Sequence, residues 1–97
     1  MRPLVFLPLA ISDLREITRY NRREFGERRA REYIETIKAK ARDFAAGRSS
    51  GLPFDDPIQG LWKQRVGSHF LFYHLYDGNF LTVVRILHGR MNIEDHL

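Results

Sequence analysis

Apolar residues change their spacing once along this chain, from a helical period in the first half to three strand-like runs in the last third. A short apolar run, Leu4 to Leu7, lies between Pro3 and Pro8 and predicts a brief strand, because proline is tolerated at strand ends. Residues 47 to 60 are rich in Gly, Pro and Ser and show neither period, which predicts a connecting loop. The pattern therefore predicts β-α-α-β-β-β, an α+β fold with an antiparallel helical hairpin packed on a small, mainly antiparallel sheet.

Two amphipathic helices are predicted between residues 9 and 47. The first ends at Gly26, and Ser12 and Asp13 stand in its first turn, where their oxygens are expected to cap free amides. The second ends at Gly47. The stripes expected to face the core are Ala10, Leu14, Ile17 and Tyr20 in the first helix, and Ala30, Tyr33, Ile34, Ile37, Ala41, Phe44 and Ala45 in the second.

The last third, from Leu61 to Leu97, predicts a three-stranded meander. Gly67-Ser68 suits a two-residue type II′ turn, because glycine readily adopts the positive φ that this turn requires at its first central position. Such a turn pairs Val66 with His69, and the rest of the first hairpin follows from that register.

The second hairpin has two possible turn lengths. A two-residue turn at Asp77-Gly78 places Phe70 opposite Arg85, whereas the three-residue turn Asp77-Gly78-Asn79 directs Arg85 toward the core, where an unpaired guanidinium is costly. We therefore predict the two-residue turn. One sheet face then carries Trp62, Val66, Leu71, Tyr73, Leu75, Val84 and Ile86 as core, and the other carries Lys63, Arg65, Phe70, Phe72, Val83 and Arg85.

The second face has two interpretations. Aromatic side chains among cations leave an apolar and basic surface, which suits the docking of another molecule. Alternatively, the loop of residues 47 to 60 folds over it, and the apolar residues 52 to 54 cap Phe70 and Phe72.

Composition narrows the class of protein. The 97 residues predict one domain, 1–97, with a modest core, and the lack of cysteine excludes disulfides and thiolate chemistry. The N-terminal apolar run is too short for a signal sequence or a membrane span, so we expect a cytoplasmic protein with no membrane partner. Between Ser12 and Arg48, eleven Lys or Arg residues face seven Asp or Glu residues. This excess suits an acidic partner but is small for a dedicated nucleic-acid binder, so no direct sequence-specific nucleic-acid binding is expected.

Five short segments of the last third carry a family resemblance. They are Gly67-Ser68-His69, Phe72-Tyr73, Arg85-Ile86-Leu87-His88, Arg90-Met91-Asn92 and the terminal His96-Leu97. In this order they resemble the ParE toxins of bacterial type II toxin-antitoxin modules, a branch of the RelE/ParE superfamily. The resemblance implies a toxin that inhibits DNA gyrase by protein binding, without catalysis or a cofactor. It also implies a ParD-like antitoxin that neutralises the toxin in a hetero-oligomer.

Candidate partner-binding residues follow from this resemblance and from the charge pattern. The antitoxin is expected to present an acidic amphipathic segment that folds on binding. Its candidate contacts are Arg15, Arg19, Arg22, Arg65, Phe70, Phe72 and Arg85. The candidate contacts for the target are Arg90, Met91 and His96 in the C-terminal segment. An alternative for that segment is that Met91, Ile93 and Leu97 only pin it to the domain.

The neighbouring RelE branch offers an enzymatic alternative, a ribosome-dependent mRNA endoribonuclease. By analogy with that branch, an arginine would stand at Phe70, Arg90 would be retained, and His96 would lie where a Tyr or His acts. Phenylalanine cannot stabilise the charge of a phosphorane, which favours the gyrase inhibitor. The cations and imidazoles of Lys63, Arg65, His74, Arg85, His88, Arg90 and His96 keep the endoribonuclease open as an alternative.

The histidines and the other aromatic residues predict no additional site. Four histidines without a helical i, i+4 pair, cysteine or clustered carboxylates are not expected to bind a metal. His69 is predicted in a turn, and His88 at a strand end with its ring bonded to a backbone carbonyl. Trp62, Tyr20 and Tyr33 could stack on nucleic-acid bases, but their core spacing places them in the interior or at its rim.

Overall fold

The elements of the chain are taken from a computed structural model, which describes residues 3–47, 52–54, 60–76 and 80–91. In chain order they are β1 (Leu4–Phe6), α1 (Pro8–Phe25), α2 (Glu27–Ala45), β2 (Leu52–Phe54), β3 (Leu61–Val66), β4 (His69–Tyr76) and β5 (Phe80–His88). The strands form one sheet in the order β1-β5-β4-β3-β2, in which β1 is parallel to β5 and the other neighbours are antiparallel. The predicted α+β fold is confirmed, and the short strand β2 lies where the sequence predicted only loop.

Gly26 closes the helical hairpin. It lies between the end of α1 and the start of α2 with φ 91°, a conformation that residues with a Cβ rarely adopt. The predicted capping of α1 by Ser12 and Asp13 is wrong. The helix already begins at Pro8, with Leu7 as its N-cap residue and no side-chain cap, so both polar residues lie beyond the first turn.

The helical hairpin packs on one face of the sheet and forms the main core. Its buried members are Ala10, Ile17, Ile34, Ile37, Ala41, Phe44 and Ala45 from the helices, with Val66, Leu71, Tyr73, Leu81, Val83 and Ile86 from the strands. Tyr20 departs from the predicted stripe, because it is 52 % exposed. The buried position beside it belongs to Asn21, whose Nδ2 donates to the carbonyl of Ile17. Tyr20 therefore does not belong to the buried stripe on which the sequence placed it, and of the predicted interior or rim only the rim is compatible with its exposure.

The register of the first hairpin is confirmed, with Val66 paired to His69. Gly67 has φ 59°, the positive value that the predicted turn requires. A Cβ at this position would lie 2.6 Å from Cε1 of Tyr33 on α2. Glycine is therefore needed here both for its backbone conformation and for the close approach of a helix.

The register predicted for the second hairpin is wrong. Tyr76 pairs with Phe80, so three residues separate the two strands, and Phe72 rather than Phe70 lies opposite Arg85. The turn residues 77–79 lie outside the described part of the chain. A register shift follows Phe72, as expected for a β-bulge.

The bulge in β5 reverses the inward and outward alternation of its side chains. Val84 has no residue paired with it, so Val84 and Arg85 together face one residue of β4. As a result, Val83 and Ile86 both lie on the helix side, whereas Val84 and Leu87 pack in a separate cluster. The predicted positions of Val83 on the second face and Val84 in the main core are wrong for this reason.

Arg85 reaches α1 and forms a shielded ion pair. Its Nε and Nη2 each donate to one carboxylate oxygen of Asp13 at 2.8 Å, and the backbone N–H of Ile86 donates to the same carboxylate at 2.9 Å. Both charged side chains are 13 % exposed. The hydrogen bonds from Arg85 to Asp13 raise the pKa of Arg85. This three-part contact holds α1 against β5 beyond the end of β1.

Candidate partner-binding surfaces

The second sheet face is less open than the sequence predicted. Its cluster consists of the buried residues Leu61, Phe72 and Leu87, with Phe70 and Val84 partly buried against them. Phe72 is only 6 % exposed, and the guanidinium of Arg85 is held by Asp13. The prediction that Phe72 and Arg85 lie open to a partner is therefore wrong. Apolar packing covers Phe72, and the bulge lets Arg85 reach α1 instead.

Arg65 and Phe70 are the two predicted residues that stay accessible near this face. Arg65 is exposed, and its Nε donates to the carbonyl of Gly67 at 3.0 Å. Phe70 is half-buried, and the Nζ of Lys63 lies 5.4 Å from the centre of its ring, within cation–π range. These residues still form a small apolar and cationic patch.

A groove of about 440 Å³ runs between α1 and α2, and the described residues that line it all belong to these two helices. Its lining consists of Ile11, Leu14, Arg15, Thr18, Arg19, Arg22, Ile34 and Lys38. We call it the hairpin groove. It brings together the three arginines that the sequence proposed on α1 and adds one lysine from α2.

Among the described residues, the lining of the hairpin groove carries cations but no acidic residue. Arg19 is paired with Glu16, and Arg22 with Glu27, both at largely exposed positions. The bond with Arg22 also lowers the pKa of Glu27. Within the described part of the chain, Arg15 and Lys38 take part in no ion pair. The groove therefore offers free positive charge beside the apolar side chains of Ile11, Leu14 and Ile34.

Two adjoining hollows of about 520 and 450 Å³ share Tyr20, His69 and His88, and the sequence did not predict them. We call them together the histidine groove. The first is also lined by Asn21, Phe25, Arg29, Glu32, Tyr33, Thr36 and Ser68. The second is also lined by Glu16, Ile17, Arg19, Arg23 and Met91. The groove thus lies where α1 and α2 meet the start of β4 and the end of β5.

His69 and His88 are direct partners across β4 and β5, with ring centroids 5.4 Å apart in an edge-to-face arrangement. Nδ1 of His69 lies 2.6 Å from the hydroxyl of Tyr33, and Nδ1 of His88 accepts the backbone N–H of Arg90 at 3.2 Å. Burial lowers the pKa of His69, and the neighbouring His88 lowers it further, while Asp13 has a smaller opposite effect. The pair therefore favours a neutral His69 near pH 7.

The sequence missed this pair because the longer turn and the bulge together create it. His69 is the first residue of β4 rather than a turn residue, so that prediction is wrong. His88 ends β5 as predicted, but its ring nitrogen accepts an amide proton instead of bonding to a carbonyl. In the predicted register Phe70 faced Arg85, which would have kept the two histidines apart.

The C-terminal candidates are partly described. Arg90 is exposed, and Met91 is exposed and lines the histidine groove. His96, Ile93 and Leu97 lie outside the described residues. The assignment of Arg90 and Met91 to target binding stays a prediction.

Neither a metal-binding cluster nor a membrane-spanning helix is present in the described segments. No group of three or more His, Asp or Glu residues there is arranged to hold a metal ion. None of the helices in those segments is long and apolar enough to cross a membrane.

The family and its relatives are shown by comparison with known proteins. A family model described as ParE toxin of type II toxin-antitoxin system, parDE, matches residues 4–93. The chain is 34 % identical to Toxin ParE of Escherichia coli over 88 residues, which cover 91 % of this chain and 85 % of that protein. It is 29 % identical to Toxin ParE1 of Caulobacter vibrioides over 97 residues, covering 100 % of this chain and 99 % of that protein.

Solved structures show the same fold. A chain from the chromosomal ParDE TA system of P. aeruginosa superposes with a TM-score of 0.76 at 18 % identity, covering 91 % of this chain and 96 % of that one. A chain from the toxin-antitoxin complex RelBE2 of Mycobacterium tuberculosis gives a TM-score of 0.60 at 19 % identity, with coverages of 90 % and 96 %. At these identities the superpositions show a shared fold.

Proposed function

The chain belongs to the ParE toxin family of type II toxin-antitoxin systems, and we propose from this premise that it inhibits DNA gyrase by binding it and that a ParD-like antitoxin neutralises it. The family match over residues 4–93 carries this proposal. The two grooves on the helical side supply surfaces on which such partners can bind.

The hairpin groove is the proposed site of the antitoxin. Its apolar residues can take the leucine-type side chains of an amphipathic segment, while Arg15 and Lys38 can pair with that segment's carboxylates. A segment that is disordered when free must offset its ordering entropy through such burial and pairing. Silencing a toxin requires nanomolar affinity or better, which corresponds to about −12 kcal/mol.

Inhibition without RNA cleavage is the proposed mode of action. Cleavage would need cations placed to stabilise the phosphorane charge. Phe70, where the RelE branch would carry an arginine, packs instead in an apolar cluster with Leu87 and Val84. This position therefore supports binding rather than catalysis.

Growth of cells tests the toxin assignment directly. The full chain is expressed from an inducible promoter, with and without the reading frame that neighbours its gene. We expect growth to stop with the chain alone and to continue with the pair. Unaffected growth in both cases would contradict the proposal.

The target is tested by two parallel measurements, a supercoiling assay with purified DNA gyrase and the sequencing of transcript ends in cells after induction. We expect purified DNA gyrase to lose supercoiling activity in the presence of the chain, while the ends of cellular transcripts stay unchanged. New transcript ends within codons, with full gyrase activity, would indicate the RelE-type endoribonuclease instead.

A further inference from the structure

The histidine groove has no role in the antitoxin site proposed above. It shares Arg19 with the hairpin groove, but it extends to the strands and contains both of the histidines that meet across β4 and β5. The hydrogen bonds of these two rings determine which of their nitrogen atoms a ligand can use.

His88 can offer one donor to a ligand. Its Nδ1 accepts the backbone N–H of Arg90, so this nitrogen carries no proton. The proton of the neutral ring is then on Nε2. Within the described residues Nε2 of His88 has no hydrogen-bond partner.

His69 is arranged in the same way through Tyr33. The hydroxyl of Tyr33 accepts the backbone N–H of Ser68 at 3.0 Å, which leaves its own proton to be donated. Nδ1 of His69, at 2.6 Å, is a nearer acceptor for that proton than the carbonyl of Val66, at 3.3 Å. The ring of His69 therefore also carries its proton on Nε2, and this atom has no partner among the described residues.

The charged side chains around the two rings favour an anion. Arg19, Arg23 and Arg29 line the groove, against Glu16 and Glu32. Glu16 is paired with Arg19, Glu32 with Arg28 and Arg23 with Glu24. Among the described residues, Arg29 is therefore the lining cation that takes part in no ion pair. A ligand that brings hydrogen-bond acceptors and negative charge complements this surface better than a neutral one or a cation.

The apolar side chains around the groove favour a peptide over a nucleic acid. Tyr20, Phe25 and Met91 are each about half exposed and border the two hollows. Aromatic residues and methionine are enriched at protein interfaces, and methionine adapts its shape to apolar peptide side chains. A nucleic-acid site would be expected to carry a denser set of cations without acidic residues among them.

We infer that the histidine groove binds a carboxylate side chain from an acidic and partly apolar segment of the toxin's protein target. Nε2 of His69 and Nε2 of His88 donate to the carboxylate, and Tyr20, Phe25 and Met91 pack against the apolar neighbours of that side chain. The inference rests on the proposed function, in which the chain acts by binding a protein, and it assigns the target and the antitoxin to neighbouring grooves that share Arg19.

Asparagine and glutamine substitutions distinguish the acceptor role of Nδ1 from the donor role of Nε2 in each ring. The Oδ1 atom of asparagine can take the place of Nδ1 as an acceptor, but asparagine has no donor at the position of Nε2. The amide nitrogen of glutamine reaches the position of Nε2, but the side chain loses the acceptor at Nδ1. The test therefore compares the double variants H69N/H88N and H69Q/H88Q with the unchanged chain.

The readouts are growth arrest in cells, inhibition of purified DNA gyrase, and affinity for the antitoxin. We expect H69N/H88N to need at least tenfold more protein for half-inhibition of gyrase and to arrest growth correspondingly less. H69Q/H88Q should stay within about threefold of the unchanged chain, since a threefold change is less than 1 kcal/mol. Antitoxin affinity should change little in either variant.

Several results would overturn the inference. Full potency of H69N/H88N would show that the Nε2 donors are not used. Loss of potency in the glutamine variant alone would give the rings a structural role through Nδ1. A loss of antitoxin affinity with full potency would assign the groove to the antitoxin. If the unchanged chain does not arrest growth, the proposed function fails, and the inference fails with it.

Discussion

The two sides of α1 use charge in opposite ways. On the inner side, the carboxylate of Asp13 is shielded and bonded to Arg85 and to the amide of Ile86. On the outer side, Arg15, Arg19 and Arg22 are exposed along the hairpin groove. Only a few residues of sequence separate these two kinds of charge.

The difference in solvation gives the two sides different roles. A shielded ion pair that loses one partner leaves a charge that is only weakly solvated, so removal of either partner destabilises the fold. An exposed ion pair contributes between zero and about 1 kcal/mol, so outer arginines can be used for partners at little cost in stability. The predictions below test this division, beginning with the largest expected effect.

Removing the inner carboxylate should have the largest effect. Asp13→Ala leaves Arg85 without its bidentate partner and the amide of Ile86 without its acceptor. We expect the free energy of unfolding to fall by about 3 kcal/mol, as for other broken buried pairs. Urea titration of the purified chain measures this change. Asp13→Asn, which keeps an acceptor for Ile86, should lose less. A loss below about 1 kcal/mol for the alanine variant would mean that the pair behaves as a surface pair.

A second inner contact joins the first hairpin to α2 at Gly67. In Gly67→Ala the new Cβ would lie 2.6 Å from Cε1 of Tyr33, and alanine would also have to adopt φ 59°. We expect a loss of about 2 kcal/mol in the free energy of unfolding. Gly47→Ala is the matched control, because its φ is also positive, at 76°, but nothing lies within 4 Å of the new Cβ. The control should lose only about 1 kcal/mol, and equal losses would show that the contact with Tyr33 has no effect.

Reversing charge on the outer side should affect binding and spare stability. In R15E/K38E the hairpin groove would repel an acidic antitoxin, and we expect at least tenfold weaker binding, or about 1.4 kcal/mol, by calorimetry. The free energy of unfolding should change by no more than about 0.5 kcal/mol.

R28E/R31E provides the matched control for the groove variant. It makes the same change in net charge on exposed positions that line neither groove. Its effect on antitoxin affinity should be smaller than that of R15E/K38E. Equal weakening by the two double variants would show that only net charge matters and that the hairpin groove is not the docking site.

His69 is intermediate between the shielded ion pair of Asp13 and the exposed outer arginines, because it is half-buried. Its folded-state pKa is lowered mainly by this burial. The unfolded chain therefore takes up the proton at a higher pH than the folded chain does. The free energy of unfolding should fall as the pH drops below about 6.5, with no contribution from this group above that value. His88, Asp13 and Tyr33 surround the ring and are unchanged in the comparison variant H69N.

The pH effect is the smallest of the four and needs a difference measurement. Urea titrations at pH 7.5 and pH 5.5 should show a larger loss of stability on acidification in the unchanged chain than in H69N. Identical losses would mean that His69 is not perturbed by burial in the folded chain.

Local signals in the sequence were sufficient to predict the helical hairpin and the hairpin of β3 and β4. The helical period and Gly26 predicted the two helices, and Gly67-Ser68 predicted the register of β3 with β4. The family resemblance in the last third was also confirmed by the match over residues 4–93. For the two helices and the first hairpin, the deciding residues lie within one turn or one element of the feature that they determine.

Tertiary packing alone decided the register of β5 and everything that depends on it. Val83 and Val84 are both apolar, as are Ile86 and Leu87, so the alternation in this strand fits either phase and cannot reveal a bulge. The choice comes from burial under the helices and from Asp13, which lies 72 residues before Arg85 in the chain. The same shift pairs His69 with His88 and thereby forms the histidine groove. Apart from β2, the sequence determined which short segments are helix or strand, because periodicity and turn residues are local signals. Contacts between distant segments determined where the charges are buried and where a partner can bind.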